Sequence, residues 1–197
     1  MNRPSGPRLQ ACLRWGLVML AAACAGAPLE RAASWPLTCD FFPPGDPPVD
    51  ECARKSADGE FVLRPGAWPE GGEATAVRTV VVEGELLFAL ASGRTAPALR
   101  YDNGADYFVE GLARSPRDGK VGFVDELLEL VVPRQWDFAF PFEDGHARVC
   151  SGCVIRRAGG EHSEVVGGRW GYVDREGRVV VPVVHAREEL PAPAGAS

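Results

Sequence analysis

GRWGYVDREGRVVVP, residues 168–182, decides the fold. Trp170 and Tyr172 alternate with Gly171 and Val173, the period of two expected of a strand. Asp174-Arg175-Glu176-Gly177 then reads as a hairpin loop in which Gly177 takes a left-handed conformation at low steric cost. Val179 to Val181 follows as a returning apolar strand that ends at Pro182.

The stretch recurs upstream. GKVGFVD at 119–125 matches GRWGYVD at 168–174, and Val131-Val132-Pro133 falls at the same offset as Val180-Val181-Pro182. More loosely, GELLFAL at 84–90 overlays residues 119–125, and Tyr101-Asp102 falls on Trp136-Asp137. Glu110 to Arg114 overlays Asp144 to Arg148 after one gap, and a fragment of an earlier unit lies near Trp68-Pro69. The period is about 35 residues, with roughly 14 inserted around Cys150 to His162, and such self-similarity marks tandem structural units. Gly93 occupies the place of Gly177, but the middle unit has Leu128 there. A leucine with positive φ is strained, so that loop is expected to differ in geometry. Gly122 and Gly171 are expected to admit close approach of a neighbouring strand or ring.

These residues resemble the WG-repeat family of bacterial exported proteins. Its units run as W-G-Y-[IV]-D, a short turn, an apolar strand ending in Pro, then Y-D, an aromatic segment and E-G-L-A. The resemblance implies an all-β fold of tandem degenerate antiparallel hairpins, with little helix outside the leader. It covers residues 77–183, with units near 84–114, 119–149 and 168–182. Too few units are present to close a large ring, so an open stack or a small barrel-like sandwich is expected. The family's repeat carries no assigned catalytic residues. Outside it lie a Pro/Gly-rich segment, 26–76, and a tail, 184–197, expected to be disordered.

Residues 1–25 read as a signal peptide. Arg3, Arg8 and Arg14 precede an eleven-residue apolar run, WGLVMLAAACA (15–25), with no acid before Glu30. The run is too short for a spanning helix, which needs about 20 apolar residues. Cys24 follows Leu20-Ala21-Ala22-Ala23, a lipobox with one residue too many, and is the candidate lipidation site. The expected location is periplasmic, or lipid-anchored in the envelope through Cys24, the one expected membrane contact.

Four further cysteines, Cys39, Cys52, Cys150 and Cys153, form an even set in an exported chain, which reads as disulfides with three connectivities open. Local pairing, Cys39 with Cys52 and Cys150 with Cys153, is the simplest. The alternative is a zinc or thiol-redox centre on Cys150, Cys153 and His162, with His146 as a fourth ligand. Strand-like flanks argue against a redox motif, which wants the first thiol at a helix N-terminus.

The chain is net acidic, −6 overall. Without the first 25 residues 18 basic side chains face 27 acidic ones, which speaks against nucleic acid as a partner. No nucleophile elbow, phosphate-cradling loop or H-E-x-x-H occurs. The pairs Glu143-Asp144 and Glu188-Glu189 are adjacent, and on a strand neighbours point to opposite faces. The aromatics Tyr107, Phe108, Trp136, Phe138, Phe140 and Phe142 sit at repeat positions and are expected in the core. His146 takes the place of Leu112. No catalytic residue and no cofactor is expected. The expected function is a non-catalytic envelope module that binds an unknown protein or cell-envelope ligand.

Overall fold

The computed structural model describes residues 34–42, 47–68, 76–157 and 163–194. The leader, Cys24 and His162 lie outside these. Among the described residues there is no α-helix, so none is long and apolar enough to cross a membrane.

The strands fall into four three-stranded meanders. The first is β1 (Leu37–Phe42), β2 (Val49–Lys55) and β3 (Phe61–Leu63), and the second is β4 (Arg78–Val82), β5 (Glu85–Ala89) and β6 (Thr95–Pro97). A small hairpin, β7 (Arg100–Tyr101) and β8 (Gly104–Ala105), leads into the third, β9 (Leu112–Arg117), β10 (Lys120–Asp125) and β11 (Leu130–Trp136). Strand β12 (Phe138–Glu143) leads into the fourth, β13 (His146–Arg157), β14 (Ser163–Asp174) and β15 (Val179–His185). A 3-10 turn, Arg187–Glu189, follows. All pairings are antiparallel.

One turn recurs in every meander. The Asp174 N–H donates to the Arg178 carbonyl (3.0 Å) and the Gly177 N–H to the Asp174 carbonyl (2.9 Å). The same pair of bonds closes Asp125 to Glu129 (3.0 and 2.9 Å), Leu90 to Arg94 (2.9 and 2.9 Å) and Ser56 to Glu60 (2.7 and 3.0 Å). The fourth position has positive φ each time: 80° at Gly59, 94° at Gly93, 58° at Leu128 and 80° at Gly177. The structure thus adds a unit around Ser56 that the sequence reading left outside the repeats.

Leu128 corrects an expectation, because its loop has the same geometry as the glycine loops. A left-handed leucine costs roughly 1–2 kcal/mol. Its side chain is buried against Leu86, Phe88, Ala96 and Val124, and full burial of a leucine contributes about 1.5–3 kcal/mol. Burial wins. The Asp125 carboxylate also accepts from the Leu127 and Glu129 N–H groups (3.0 and 2.8 Å), as Asp174 accepts from Glu176 and Arg178 (3.1 and 2.8 Å). Burial alone would raise the Asp174 carboxyl, but the Arg178 side chain and N–H hold it below its ordinary value. Acid-Gly pairs make the tight turns: Glu83-Gly84, Glu110-Gly111, Asp118-Gly119 and Asp144-Gly145 all have positive φ at both residues, as a right-twisted two-residue hairpin requires.

Apolar residues alternate along the strands, yet both faces are buried. On β5, Leu87 and Ala89 point into a core shared with Cys39, Phe41, Phe61, Leu63, Val80 and Val82. Leu86 and Phe88 point the other way, onto Ala113, Val124 and Leu128 of the third meander. On β10, Phe123 enters a core with Trp136, Phe142, Val149 and Val173, whereas Val124 faces back. Each of these three cores therefore lies between units. The first two meanders share one sheet, ordered β3-β2-β1-β4-β5-β6. It curls until its edges touch, with the Leu63 N–H donating to the Gly93 carbonyl (2.9 Å) and the Thr95 hydroxyl to the Phe61 carbonyl (2.5 Å). Of the two arrangements expected for residues 77–183, an open stack or a small barrel-like sandwich, a barrel-like sheet occurs only where β4–β6 join β1–β3, which lie outside that range. Meanders three and four stack as separate sheets.

Gly122 and Gly171 do allow close approach. A Cβ on Gly122 would sit 2.8 Å from the Arg134 nitrogen and 2.9 Å from the Pro133 carbonyl carbon. One on Gly171 would sit 2.9 Å from the Pro182 carbonyl carbon. Both glycines flank a register shift, Phe123 opposite Val132 and Tyr172 opposite Val181. Gly122→Ala is therefore expected to cost about 3 kcal/mol, lowering Tm by about 10 °C. Gly119→Ala, strained in φ but with open space around it, should cost only about 1 kcal/mol. Thermal melts of the two variants check this order.

Candidate functional site

The last meander differs from the others in its outer face. In the third, Leu112, Phe123 and Trp136 point into the core shared with the fourth. The same ladder positions in the fourth are His146, Tyr172 and His185, since Leu112 and His146 stand opposite Asp125 and Asp174 in turn. Phe123 pairs with Val132 as Tyr172 does with Val181, and Trp136 faces Val121 as His185 does Trp170. Apolar side chains become polar on the face that no further unit among the described residues covers. Cys150, Cys153 and Trp170 pack with Phe138, Phe140, Val165 and Leu190 at this end. The tail, expected to be disordered, thus places Leu190 on that cluster, with the Arg187 guanidinium 5.3 Å from the Trp170 ring centre.

Local pairing of the cysteines appears in the structure. Cys39–Cys52 joins β1 to β2 with Cα atoms 5.8 Å apart, and Cys150–Cys153 spans Ser151 and Gly152 on β13 with Cα atoms 6.1 Å apart. Gly152 has positive φ (76°) although the β13–β14 register is unshifted, and the Gly152 N–H donates to the Asp137 carboxylate (2.6 Å). Lys120 holds the other Asp137 oxygen (2.5 Å). This ammonium, together with the Gly152 N–H, keeps the Asp137 carboxyl below its ordinary value.

The zinc alternative is not assembled. Cys150 and Cys153 are bonded to each other, and no group of three or more His, Cys, Asp or Glu able to hold a metal occurs among the described residues. His146 lies four positions before Cys150 on one strand, about 13 Å away at strand rise, with Nδ1 2.8 Å from the Asp144 carbonyl oxygen. The redox alternative finds its pair on a strand, nearly fully buried. Glu188 and Glu189 lie on the 3-10 turn, and Asp144 is in a tight turn beside Glu143.

The aromatics divide. Trp136 and Phe142 are core, and Phe108 packs on Phe88 with ring centres 5.0 Å apart. Tyr107 is 67% exposed and corrects the expectation; Tyr101 beside it is 54% exposed, their rings 6.1 Å apart and edge to face. Both line a cleft of about 810 Å³, together with Phe138, Phe140 and the 61%-exposed Ile155. The β13–β14 arm that carries Ile155 is the insertion seen in sequence.

Arg114 and Asp106 form the buried wall of the cleft. The Arg114 Nε and Nη2 donate to the two Asp106 carboxylate oxygens (2.8 and 2.7 Å), and Nη1 donates to the Ala139 carbonyl (3.0 Å). Both side chains are at least nine-tenths buried. The sequence reading missed this pair, because Asp106 precedes Arg114 across a hairpin and no motif marks it.

The WG containing repeat family model matches residues 122–152 and 170–184. That is a short match over part of the chain. No curated protein and no solved structure matches it.

Removing one partner of a buried charge pair strands the other, so Asp106→Ala should lose about 3–5 kcal/mol. Asp106→Leu combined with Arg114→Met should lose at least about 2 kcal/mol less than the single change. Urea unfolding of the two variants measures the difference.

Proposed function

We propose that the chain is an exported, non-catalytic binding module of the WG-repeat type, anchored or free in the cell envelope, whose ligand surface is the Tyr101–Tyr107 cleft. The observation that carries this reading is a cleft lined by two exposed tyrosines and two half-buried phenylalanines, whose buried wall is an ion pair. Exposed aromatic rings beside fixed polar groups are characteristic of small-ligand and partner sites. The two disulfides and the partial family match support it. The leader-like residues 1–25 supply the export element.

The test is co-sedimentation of the purified mature protein with washed cell-envelope material. The wild type should sediment with it, and Tyr101→Ala/Tyr107→Ala should lose at least fivefold with an unchanged melting temperature. Equal sedimentation of the two, or none by the wild type, contradicts the reading.

A further inference from the structure

The same arginine position occurs twice, once paired with a carboxylate of the fold and once without such a partner among the described residues. Arg114 stands opposite Phe123 on the β9–β10 ladder, and Arg148 stands opposite Tyr172 on the β13–β14 ladder, at equivalent rungs. Counting back from the equivalent turns at Glu110-Gly111 and Asp144-Gly145, the position that holds Asp106 in the third meander holds Phe140 in the fourth. In the third, the carboxylate takes two parallel N–H donors from the guanidinium. In the fourth, no carboxylate among the described residues forms a hydrogen bond or ion pair with the arginine. Arg148 makes no side-chain hydrogen bond and no ion pair among the described residues, and its Nε is buried without a partner. Its guanidinium instead lies 4.2 Å from the centre of the Phe140 ring. A buried donor left unmade is costly, the more so on a charged group, so the position is poised to accept an anion.

The surroundings set what can enter. Arg148 lines a recess of about 450 Å³ with Phe140, His146 and Tyr172, and Phe140 and Pro141 also border the larger cleft. The Arg187 guanidinium lies 5.6 Å from the same Phe140 ring. Two guanidinium groups around one aromatic ring make a local positive site in a chain of net charge −6. Glu143 lies at the rim and forms no hydrogen bond to Arg148. It disfavours highly charged anions such as phosphate more than a single carboxylate.

We infer that Arg148 is the anchor of a carboxylate-binding subsite, taking from a ligand the carboxylate that Asp106 supplies to Arg114 inside the fold. The planar fork of arginine matches a carboxylate with two parallel bonds. The body of the ligand extends past Phe140 into the aromatic cleft. This rests on the cleft reading above and names the chemistry of its ligand. The carboxylate can belong to an acidic sugar or to a peptide C-terminus, and the chemistry at Arg148 is the same for both.

The experiment uses the full mature chain and follows the Arg148 Nε–H resonance by NMR during titration. The probes are galacturonate against galactose, and acetyl-alanyl-alanine against its C-terminal amide. At least one acid should bind tenfold or more tightly than its neutral counterpart and shift the Arg148 resonance, and that acid names the source. Arg148→Gln should reduce acid binding to the neutral level, and Arg148→Lys, which keeps the charge and stem but not the fork, should lose at least threefold. Acid and neutral probes binding equally, neither acid binding, or full acid binding by Arg148→Lys would overturn the inference. If envelope co-sedimentation still depends on Tyr101 and Tyr107 in that case, the cleft reading stands without the carboxylate subsite.

Discussion

A strand with apolar side chains on both faces needs a neighbour on each side, and this constraint organises the molecule. Val80 and Leu87 look into one core while Val81 and Leu86 look into the next, and Phe123 and Val124 are divided in the same way. A meander alone would expose one of its two apolar faces. Because hydrophobic burial is the main favourable term in folding, each unit is stable only against the adjacent one. The chain solves the problem of its last unit by chemistry: Leu112, Phe123 and Trp136 are replaced at equivalent rungs by His146, Tyr172 and His185, and Leu190 covers part of what remains.

Within a unit, Gly122 and Gly171 let the strand that carries Pro133 or Pro182, and continues beyond that proline, pass at backbone distance, with a register shift beside them. The recurrent turn docks on the preceding meander, where Arg94 pairs with Glu129 (3.0 Å) and donates to the Leu127 carbonyl (3.3 Å). Glu110 carries the stacking further: its carboxylate accepts from the Gly145 N–H (3.0 Å) and its carbonyl from Arg175 (2.7 Å). In the first half the disulfide at Cys39 and Cys52 adds a covalent tie across β1 and β2, inside the curled sheet.

Much of this was legible in the sequence, for local reasons. The strand alternation around Trp170, the loop ending at Gly177 and the spacing of the Gly-aromatic pairs all depend on residues close together in the chain. What escaped depends on distant neighbours. The unit around Ser56 has Ala53 and Arg54 where Gly171 and Tyr172 stand, so only its turn bonds reveal it. Leu128 looked too strained for a left-handed turn because its buried partners, Leu86 and Phe88, lie some forty residues away. Tyr107 is at the repeat position of Pro141, where the repeat pattern predicts a core residue, but it follows the β7–β8 hairpin, which has no counterpart in the fourth meander, and is exposed. The buried Asp106–Arg114 pair shares this difficulty, since its burial is completed by the Ala139 carbonyl of the following unit.

If cores lie between units, the chain from Ser34 onward unfolds as one cooperative body. Native-state amide hydrogen exchange in rising urea tests this directly, by comparing β4–β5 at one end with β14 at the other. The slowest amides of Val80, Leu87, Trp170 and Val173 should converge on one opening free energy. Loss of protection in β13–β15 at a free energy well below that of β4–β5, with the latter unaffected, would show that the units stand independently and would contradict the account.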